Sequence, residues 1–223
     1  MKLVHEEILI NEGDFTGTND YSGLHAEILE GLKAVVWPGG SESFRIRPRT
    51  KEDKHPNGVL PIKARFVEAL RARGWKIEEP LQIAVREKPG PLDAVKLVQG
   101  KYYAVEWETG NISSSHRALN KMAIGIGAGV LWGGTLIVPS RSLYRHLTDR
   151  IGNYEELVPY FPMYKMMKPE AGVLTIMAVE HDELDSAVPK IPKGTDGYGL
   201  GLDDGEGPSI RELKRLYGKS RDE

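Results

Sequence analysis

The chain has 223 residues, 40% of them hydrophobic and 28% charged, which is enough for one substantial core and short for two. A formal net charge of −2 excludes the general basic excess of a nonspecific nucleic-acid coat, so any contact with DNA has to be local. The absence of cysteine excludes disulfides and thiolate zinc sites. The sequence also lacks a signal-peptide pattern and an apolar run of membrane-spanning length, so we expect a cytoplasmic protein without a membrane segment.

Helices and strands alternate in the predicted secondary structure. Helices are expected at residues 21–36 and 60–73, with a short strand at 43–46 between them. The second of these helices places Ile62, Phe66 and Leu70 on one stripe and is stopped by Gly74. Further strands are predicted, in chain order, at residues 81–86, 92–98, 101–108, 135–138 and 173–179.

The second half of the chain adds helices at 113–125 and 140–147, and another that starts at Asn153, whose side chain can cap it with Glu156 three positions on. This order of elements indicates an α/β fold with a central mixed sheet flanked by helices on both faces. The chain is expected to form one domain, with a glycine-rich mobile arm from about residue 194 to 223. A frayed terminus is the alternative for that arm.

Acidic residues in and just before the predicted strands at 92–98 and 101–108 form a candidate metal site. Glu106 and Glu108 lie two residues apart on a predicted strand, so they project from the same face and repel each other unless a cation lies between them. Asp93 begins the strand that a tight turn connects to theirs, and Glu78 lies upstream. Carboxylates are the ligands that hard divalent cations prefer.

Such a set suits the hydrolysis of a phosphodiester by two cations about 4 Å apart. Asp93 is the candidate bridging ligand, and Glu106 would share a metal with it. The backbone carbonyl of Trp107 could fill another position, Glu108 would hold or deprotonate the attacking water, and Glu78 could take the second metal.

Each acid also has a simpler interpretation. An exposed strand often alternates acidic and apolar residues only to keep one face wet, Asp93 could be a turn acid, and Glu78 beside Glu79 could be ordinary surface. The joint pattern, with the polar segment that follows it, favours the metal site. In that segment Asn111 precedes a helix whose first turns hold Arg117, and Asn and Arg are the residues that pair with adenine and guanine in the major groove. An ordinary capped helix is the alternative.

These residues belong to a series of segments that resembles the BamHI-type restriction endonucleases from Trp37 to Gly197. The segments, in chain order, are Trp37-Pro38, Asn57-Gly58-Val59, Pro61-Ile62-Lys63, Gly90-Pro91-Leu92-Asp93, residues 106–117, Asn120-Lys121, Leu147-Thr148-Asp149-Arg150, Pro159-Tyr160-Phe161 and Ile191-Pro192-Lys193-Gly194.

The resemblance implies a homodimeric type II endonuclease of the PD-(D/E)XK fold, a single catalytic and DNA-binding domain. Glu108 stands where most members of that superfamily have lysine. Glu78, Asp93 and Glu106 resemble the metal-binding acids of the family, and Glu108 resembles the residue that acts on the water. The implied cofactor is Mg²⁺, two ions per active site, with Mn²⁺ as a possible substitute.

Five positions match those that read bases in the family: Asn111, Ser113, Arg117, Asp149 and Arg150. All are the family's residue types, so the implied substrate is double-stranded DNA at the palindrome GGATCC, cut between the two guanines to leave 5′ overhangs. An acid followed by an arginine can read a G·C pair, because the acid accepts from the amino group of cytosine and the arginine donates to guanine. A local salt bridge is the alternative.

Three further residues are implied to lie near DNA. Lys63 resembles a basic residue of the family close to the DNA, with a surface lysine as the alternative, and Asp196 and Gly197 fit its minor-groove arm. The helix from Ser113 and residues 154–167 resemble the dimer interface, although apolar residues there could instead be core. A cognate DNA methyltransferase is implied as protection for host DNA and not as a bound partner.

Two other functions compete with this one. A nuclease of the same fold with another specificity, or with a role in DNA repair, would be expected to lack the base-reading side chains, and a noncatalytic DNA-binding protein would be expected to have an eroded acid cluster. The chain carries both the base-reading residues and the complete acid cluster.

Overall fold

A mixed β-sheet forms the centre of the protein in a computed structural model, which describes residues 1–51, 56–81, 83, 90–148 and 150–192. The strands in these residues are, in chain order, β1 (Lys2–Glu12), β2 (Arg45–Ile46), β3 (Lys76–Glu79), β4 (Leu92–Val98), β5 (Lys101–Trp107), β6 (Leu131–Pro139), β7 (Gly172–Glu180) and β8 (Glu183–Leu184). Six of them form the main sheet in the order β1-β7-β6-β5-β4-β3, while β2 and β8 pair separately.

The direction of the strands changes across the main sheet. Strands β5, β6 and β7 are parallel, whereas β1 at one edge and β4 and β3 at the other run antiparallel to their neighbours. The β4–β5 hairpin turns through Gln99 and Gly100, both with positive φ, as a tight turn requires. The predicted mixed sheet is therefore confirmed.

Helices cover both faces of this sheet. They are α1 (Asn19–Lys33), α2 (Leu60–Arg71), α3 (Ile112–Gly127), α4 (Arg141–Tyr144), α5 (Tyr154–Leu157) and α6 (Phe161–Lys165), with short 3₁₀ turns at Phe15–Gly17 and Val158–Tyr160. No helix among the described residues is long and apolar enough to cross a membrane.

Alternate residues of the central strands enter two separate cores. Val105 and Ile137 pack with the apolar faces of α1 and α2, while their neighbours Ala104 and Leu136 pack with α3, α5 and α6. Strands buried on both faces carry apolar residues on both faces, which is why β6 and β7 are almost continuously hydrophobic. The predicted helices on both faces are confirmed.

Several boundaries differ from the predictions. The strand predicted at 81–86 is wrong in its described part: Leu81 and Ile83 are buried outside any strand, and the strand lies earlier, as β3. The predicted helix at 140–147 ends at Tyr144, because Leu147 instead forms a bridge with Asn57. The capping role predicted for Asn153 is confirmed by its side chain, which accepts from the Glu156 amide.

The most N-terminal strand, β1, was not predicted. Its side chains are mainly exposed or half-buried, and only Leu9 and Ile10 are fully buried. Its pairing with β7 is interrupted between Leu3 and His5 and again between Ile8 and Ile10. Because these shifts break the two-residue period, the strand lacks the alternation by which a half-buried strand is recognised.

Candidate active site

Three carboxylates lie in a row across three neighbouring strands. Ile77 of β3, Ala94 of β4 and Val105 of β5 are opposite one another in the sheet. At the next position toward one end of these antiparallel strands, the same register brings together Glu78, Asp93 and Glu106. This places acids that are 28 positions apart in the sequence at one end of the β3–β5 layer.

A cleft of about 550 Å³ opens beside this row. Its charged lining residues are Lys63, Asp93, Glu106, Glu108, Arg117 and Lys121. The cleft therefore joins the acids of β4 and β5 to one face of α3 and to α2.

Asp93 is nearly buried, and both of its oxygens have partners. Its Oδ1 is 2.5 Å from Nζ of Lys63, and its Oδ2 accepts from the backbone N–H of Trp107 at 2.8 Å. The carboxylate thus bonds to the neighbouring strand just beyond the Ala94–Val105 pair. This contact fixes the side chain in the row.

The ammonium group of Lys63 lies among all three acids. It also lies 3.9 Å from Oε1 of Glu78, and its side chain is only 13% exposed. Burial lowers the pKa of Lys63, but the charges of Asp93, Glu78 and Glu106 outweigh it and raise that pKa above its usual range. Lys63 is therefore charged and acts as a shared counter-ion.

Glu106 is paired with a second lysine. Its Oε1 is 2.5 Å from Nζ of Lys121, which also donates to the carbonyls of Gly90 and Pro91 at 3.3 and 3.1 Å. Burial, and then the charge of Asp93, raise the pKa of Glu106 to about 7, while the two lysines oppose the rise. A carboxyl poised in this range gains from a further positive charge nearby.

Glu78 adopts an unusual backbone conformation, with φ of +53°. Left-handed backbone is uncommon for a residue other than glycine, and such strain concentrates at functional sites. Burial raises the pKa of Glu78, Lys63 lowers it, and the charge of Asp93 raises it again. The strained residue therefore belongs electrostatically to the same cluster.

Glu108 lies immediately beyond β5, not within the strand as predicted, because β5 ends at Trp107. It is 6% exposed, and its Oε1 accepts from the N–H of Gly110 at 2.5 Å. Burial raises the pKa of Glu108, while the Ser115 hydroxyl and nearby amides lower it. The Ser115 Oγ makes no hydrogen bond of good geometry to any described residue, so its effect is that of a nearby dipole.

The residues predicted to read bases lie around the start of α3. Asn111 caps this helix, accepting from the Ser114 N–H at 3.2 Å, and Ser113, two residues further on, is exposed. Arg117 is exposed on the cleft wall and donates to Ser114 Oγ at 3.0 Å. Arg150 is exposed on the loop after α4. The predicted sites Asp149, Asp196 and Gly197 lie outside the described residues.

The donor set has the chemistry of a site for hard divalent cations, because it consists of carboxylates that repel one another and already share an ammonium ion. Within the described part of the chain, no three acidic or imidazole side chains converge closely enough to hold a metal as they stand. Lys63 and Lys121 carry the compensating charge in this arrangement. Glu78, Asp93 and Glu106 are nevertheless the residues that could hold an ion here.

Lys121 was missed as a site residue when the sequence was interpreted. It follows Arg117 by four positions, so both residues lie on one face of α3, and both line the cleft. This four-residue spacing from Arg117 is the feature of the sequence that could have identified Lys121 as a site residue.

Asn57 was also missed, although it is only 1% exposed. Its amide donates to the carbonyls of Arg47 and His146 at 3.0 and 2.8 Å and accepts from the Ile191 N–H at 3.0 Å. One buried side chain thus connects three segments near the loop that carries Arg150.

The sequence matches the family described as restriction endonuclease BamHI over residues 1–198. The chain belongs to this BamHI family. The match begins ahead of Trp37 and includes β1. It confirms the predicted family and enzyme class, and membership implies dependence on a divalent metal ion.

Two relatives of the BamHI family and one solved structure agree with this assignment. The chain is 48% identical over 200 residues to the type II restriction enzyme OkrAI of Oceanobacter kriegii, covering 90% of this chain and 100% of that enzyme. It is 35% identical over 178 residues to the type II restriction enzyme BamHI of Bacillus amyloliquefaciens, covering 77% and 80%. The fold is similar to that of restriction endonuclease BglII in complex with a DNA 16-mer, with a TM-score of 0.59, 10% identity and coverage of 80% of this chain and 79% of that one. The predicted restriction-endonuclease-like fold is thereby confirmed.

Proposed function

We propose that this BamHI-family protein is a type II restriction endonuclease that hydrolyses both strands of DNA at GGATCC, cutting between the two guanines to leave 5′ overhangs. The observation that carries the proposal is the row of Glu78, Asp93 and Glu106. A cleft beside this row is lined by Asp93, Glu106 and Glu108, and its wall presents Arg117. A single domain holds both the catalytic and the DNA-binding residues, and the arm at 194–223 adds to the DNA contacts.

Glu78, Asp93 and Glu106 would hold the metal, assisted by the backbone carbonyl of Trp107. Two Mg²⁺ ions per site, or Mn²⁺ in their place, would supply positive charge to the phosphate and to the attacking water. Asp93 lies between Glu78 and Glu106 in the row, so it would be the ligand that the two ions share, and its bond to the Trp107 amide orients it. The shared ammonium of Lys63 already supports these acids as anions.

Glu108 holds or deprotonates the attacking water. A general base works best when its pKa is close to the working pH, and burial shifts the pKa of Glu108 upward, toward that range. The Gly110 N–H donates to one carboxylate oxygen of Glu108 and so helps to fix the position of this side chain. Lys63 lies at the same acids, so its predicted DNA contact is proposed to be with the phosphate that is cut.

Base reading is assigned to two segments at the cleft. Asn111, Ser113 and Arg117 occupy the start of α3, where exposed polar side chains and helix N–H groups face outward. Asp149 and Arg150 read a G·C pair from the loop after α4. Asp196 and Gly197 are assigned to the minor groove.

A homodimer would read the palindrome symmetrically, one subunit to each half-site. The proposed interface is the segment after α5 together with α3, because Tyr160 packs on His116 with ring centroids 4.5 Å apart. Leu157 and Phe161 are core residues, but Tyr160 and Met163 are 49% and 47% exposed. A second copy of the chain would bury this exposed apolar cluster.

The proposal is tested by incubating DNA of known sequence with the purified protein, with Mg²⁺ or with chelator, and sequencing the ends. Cuts confined to GGATCC that require Mg²⁺ are expected. Metal-dependent cuts at another sequence would favour a same-fold nuclease of different specificity or with a repair role. Specific binding without cutting would favour a noncatalytic DNA-binding protein.

A further inference from the structure

A short chain of hydrogen bonds connects the loop that carries Arg150 to the carboxylate of Glu108. The N–H of Gly152 donates to the carbonyl of Gly110 at 2.9 Å. The N–H of the same Gly110 donates to Oε1 of Glu108 at 2.5 Å. Two hydrogen bonds therefore separate the backbone beside Arg150 from the carboxylate assigned to the attacking water.

Both glycines stand at the same point relative to a helix. Gly110 precedes Asn111, the N-cap of α3, and Gly152 precedes Asn153, the N-cap of α5. Asn153 is 1% exposed and Ile151 is 3% exposed, so the loop is anchored on both sides of Gly152. A shift of the loop at this point is consequently passed to Gly110.

The contact between the two segments leaves no room for a side chain. A Cβ on Gly152 would lie 2.3 Å from the Ser115 hydroxyl oxygen and 3.2 Å from the Ile112 Cα. The backbone of Gly152 does not have a left-handed φ, so space and not torsion demands glycine there. Ser115 is itself fully buried and lies beside Glu108.

Gly110 is confined in the same way from the other side. A Cβ on Gly110 would lie 2.7 Å from Ser114 Oγ and 3.2 Å from Oε1 of Glu108. Ser114 in turn accepts from Arg117 at 3.0 Å. The two glycines, defined here as the Gly110–Gly152 junction, thus contact both base-reading segments and the carboxylate.

We propose that the Gly110–Gly152 junction couples base reading by Arg150 to the placement of the Glu108 carboxylate, and that Gly152 is a positioning residue for cleavage. This inference rests on the proposed function. When the loop is seated on its G·C pair, Gly152 holds Gly110, and Gly110 holds the Glu108 carboxylate where it can act on the attacking water. A displacement of about 1 Å in such a group costs about 10²-fold in rate.

Gly152→Ala tests the coupling, with Gly23→Ala as the matched control, because a Cβ at the exposed Gly23 would meet no atom within 4 Å. Binding to a GGATCC duplex is measured in chelator, and single-turnover cleavage is measured in Mg²⁺ at GGATCC and at sites with one pair changed. Gly152→Ala is expected to bind within about threefold of wild type but to cut GGATCC about 10²-fold more slowly. The rate of cutting at altered sites should fall less, so the ratio of the cleavage rate at GGATCC to the rate at altered sites should decrease.

Two further variants separate coupling from general damage. Adding Ser115→Ala to Gly152→Ala removes the hydroxyl that the new methyl group meets, and should restore at least about tenfold of the lost rate. If Gly152→Ala does not fold, the cleavage rate of the double variant is instead compared with that of Ser115→Ala alone. Arg150→Ala should cost much less in the Gly152→Ala background than in wild type, because both changes break the same connection.

The inference is overturned if wild type cuts GGATCC and Gly152→Ala cuts it as fast as Gly23→Ala does. It is equally overturned if the loss of cleavage rate in Gly152→Ala matches a loss of binding affinity. It is also overturned if Arg150→Ala lowers the cleavage rate by the same factor in the Gly152→Ala background as in wild type. Wild-type protein that cuts no DNA would overturn the proposed function itself.

Discussion

The ammonium nitrogen of Lys63 lies 2.5 Å from Oδ1 of Asp93, in the middle of the acids proposed to bind metal. Both side chains are largely buried, at 13% and 10% exposure. A buried carboxylate that loses its partner is costly to the folded state. The lysine therefore stabilises the metal-free protein in a position that a divalent cation would compete for.

Lys63→Met should lower the free energy of unfolding of the metal-free protein by about 3–5 kcal/mol, because it leaves the acids uncompensated. Saturating Mg²⁺ should recover part of this loss, since an ion that binds only the folded state stabilises it. Urea unfolding in chelator measures the loss of stability, and urea unfolding in Mg²⁺ measures the recovery. Lys33→Met, which removes an exposed ion pair with Glu30, should leave the free energy of unfolding nearly unchanged. Equal stability of Lys63→Met and wild type in chelator would contradict the assignment.

Arg150→Ala should cost about 1–3 kcal/mol of discrimination at one G·C pair in each half-site, because the bidentate contact with guanine is lost. The measurement is binding to a set of duplexes, each with one base pair changed. Arg145→Ala, at another exposed arginine near the same loop, should leave discrimination unchanged. Uniform weakening on every duplex would instead make Arg150 a phosphate contact.

Met163→Glu should weaken the proposed homodimer by at least about tenfold, because it places a charge in an apolar interface. Sedimentation over a range of concentrations measures the dissociation constant. Leu97→Glu is the matched control, since Leu97 is 57% exposed on β4, away from that surface. The same effect from both variants, or from neither, would rule out this interface.

His146→Gln should change how stability depends on pH. Burial, and then the charge of Arg145, lower the pKa of His146, whose Nδ1 accepts from the Arg49 N–H at 3.2 Å. As the pH falls below about 6.5, His146 of the unfolded chain therefore becomes protonated before His146 of the folded protein does. The free energy of unfolding then falls until the pH reaches the folded-state pKa of His146. His181, whose ring centroid is 5.6 Å away, has a pKa that burial also lowers, so it adds to the same loss.

Wild type should accordingly lose more stability than His146→Gln between about pH 7.5 and pH 5.5, as measured by urea unfolding. A difference between the two proteins that does not change with pH would contradict this account.

The local parts of the site could be predicted from the sequence. Asp93 and Glu106 belong to one hairpin, so strand propensity and a tight turn were enough to bring them together. The caps of α3 and α5 likewise follow from Asn111 and Asn153.

Contacts between distant segments could not be predicted in this way. Lys63 reaches the acids from α2, and its place depends on how that helix packs on the sheet. Glu78 joins the row only because β3 pairs in a particular register and its backbone takes a positive φ. Such positions are set by tertiary packing, which periodicity does not report.

The most direct test of the central claim compares wild type with Glu108→Lys on a duplex containing one GGATCC site, in Mg²⁺, with Glu183→Lys as an exposed-acid control. Wild type and Glu183→Lys should cut between the two guanines of both strands. Glu108→Lys should fold and bind the duplex but fail to cut it, because an ammonium group cannot accept the proton of the attacking water. Full activity of Glu108→Lys would contradict the account.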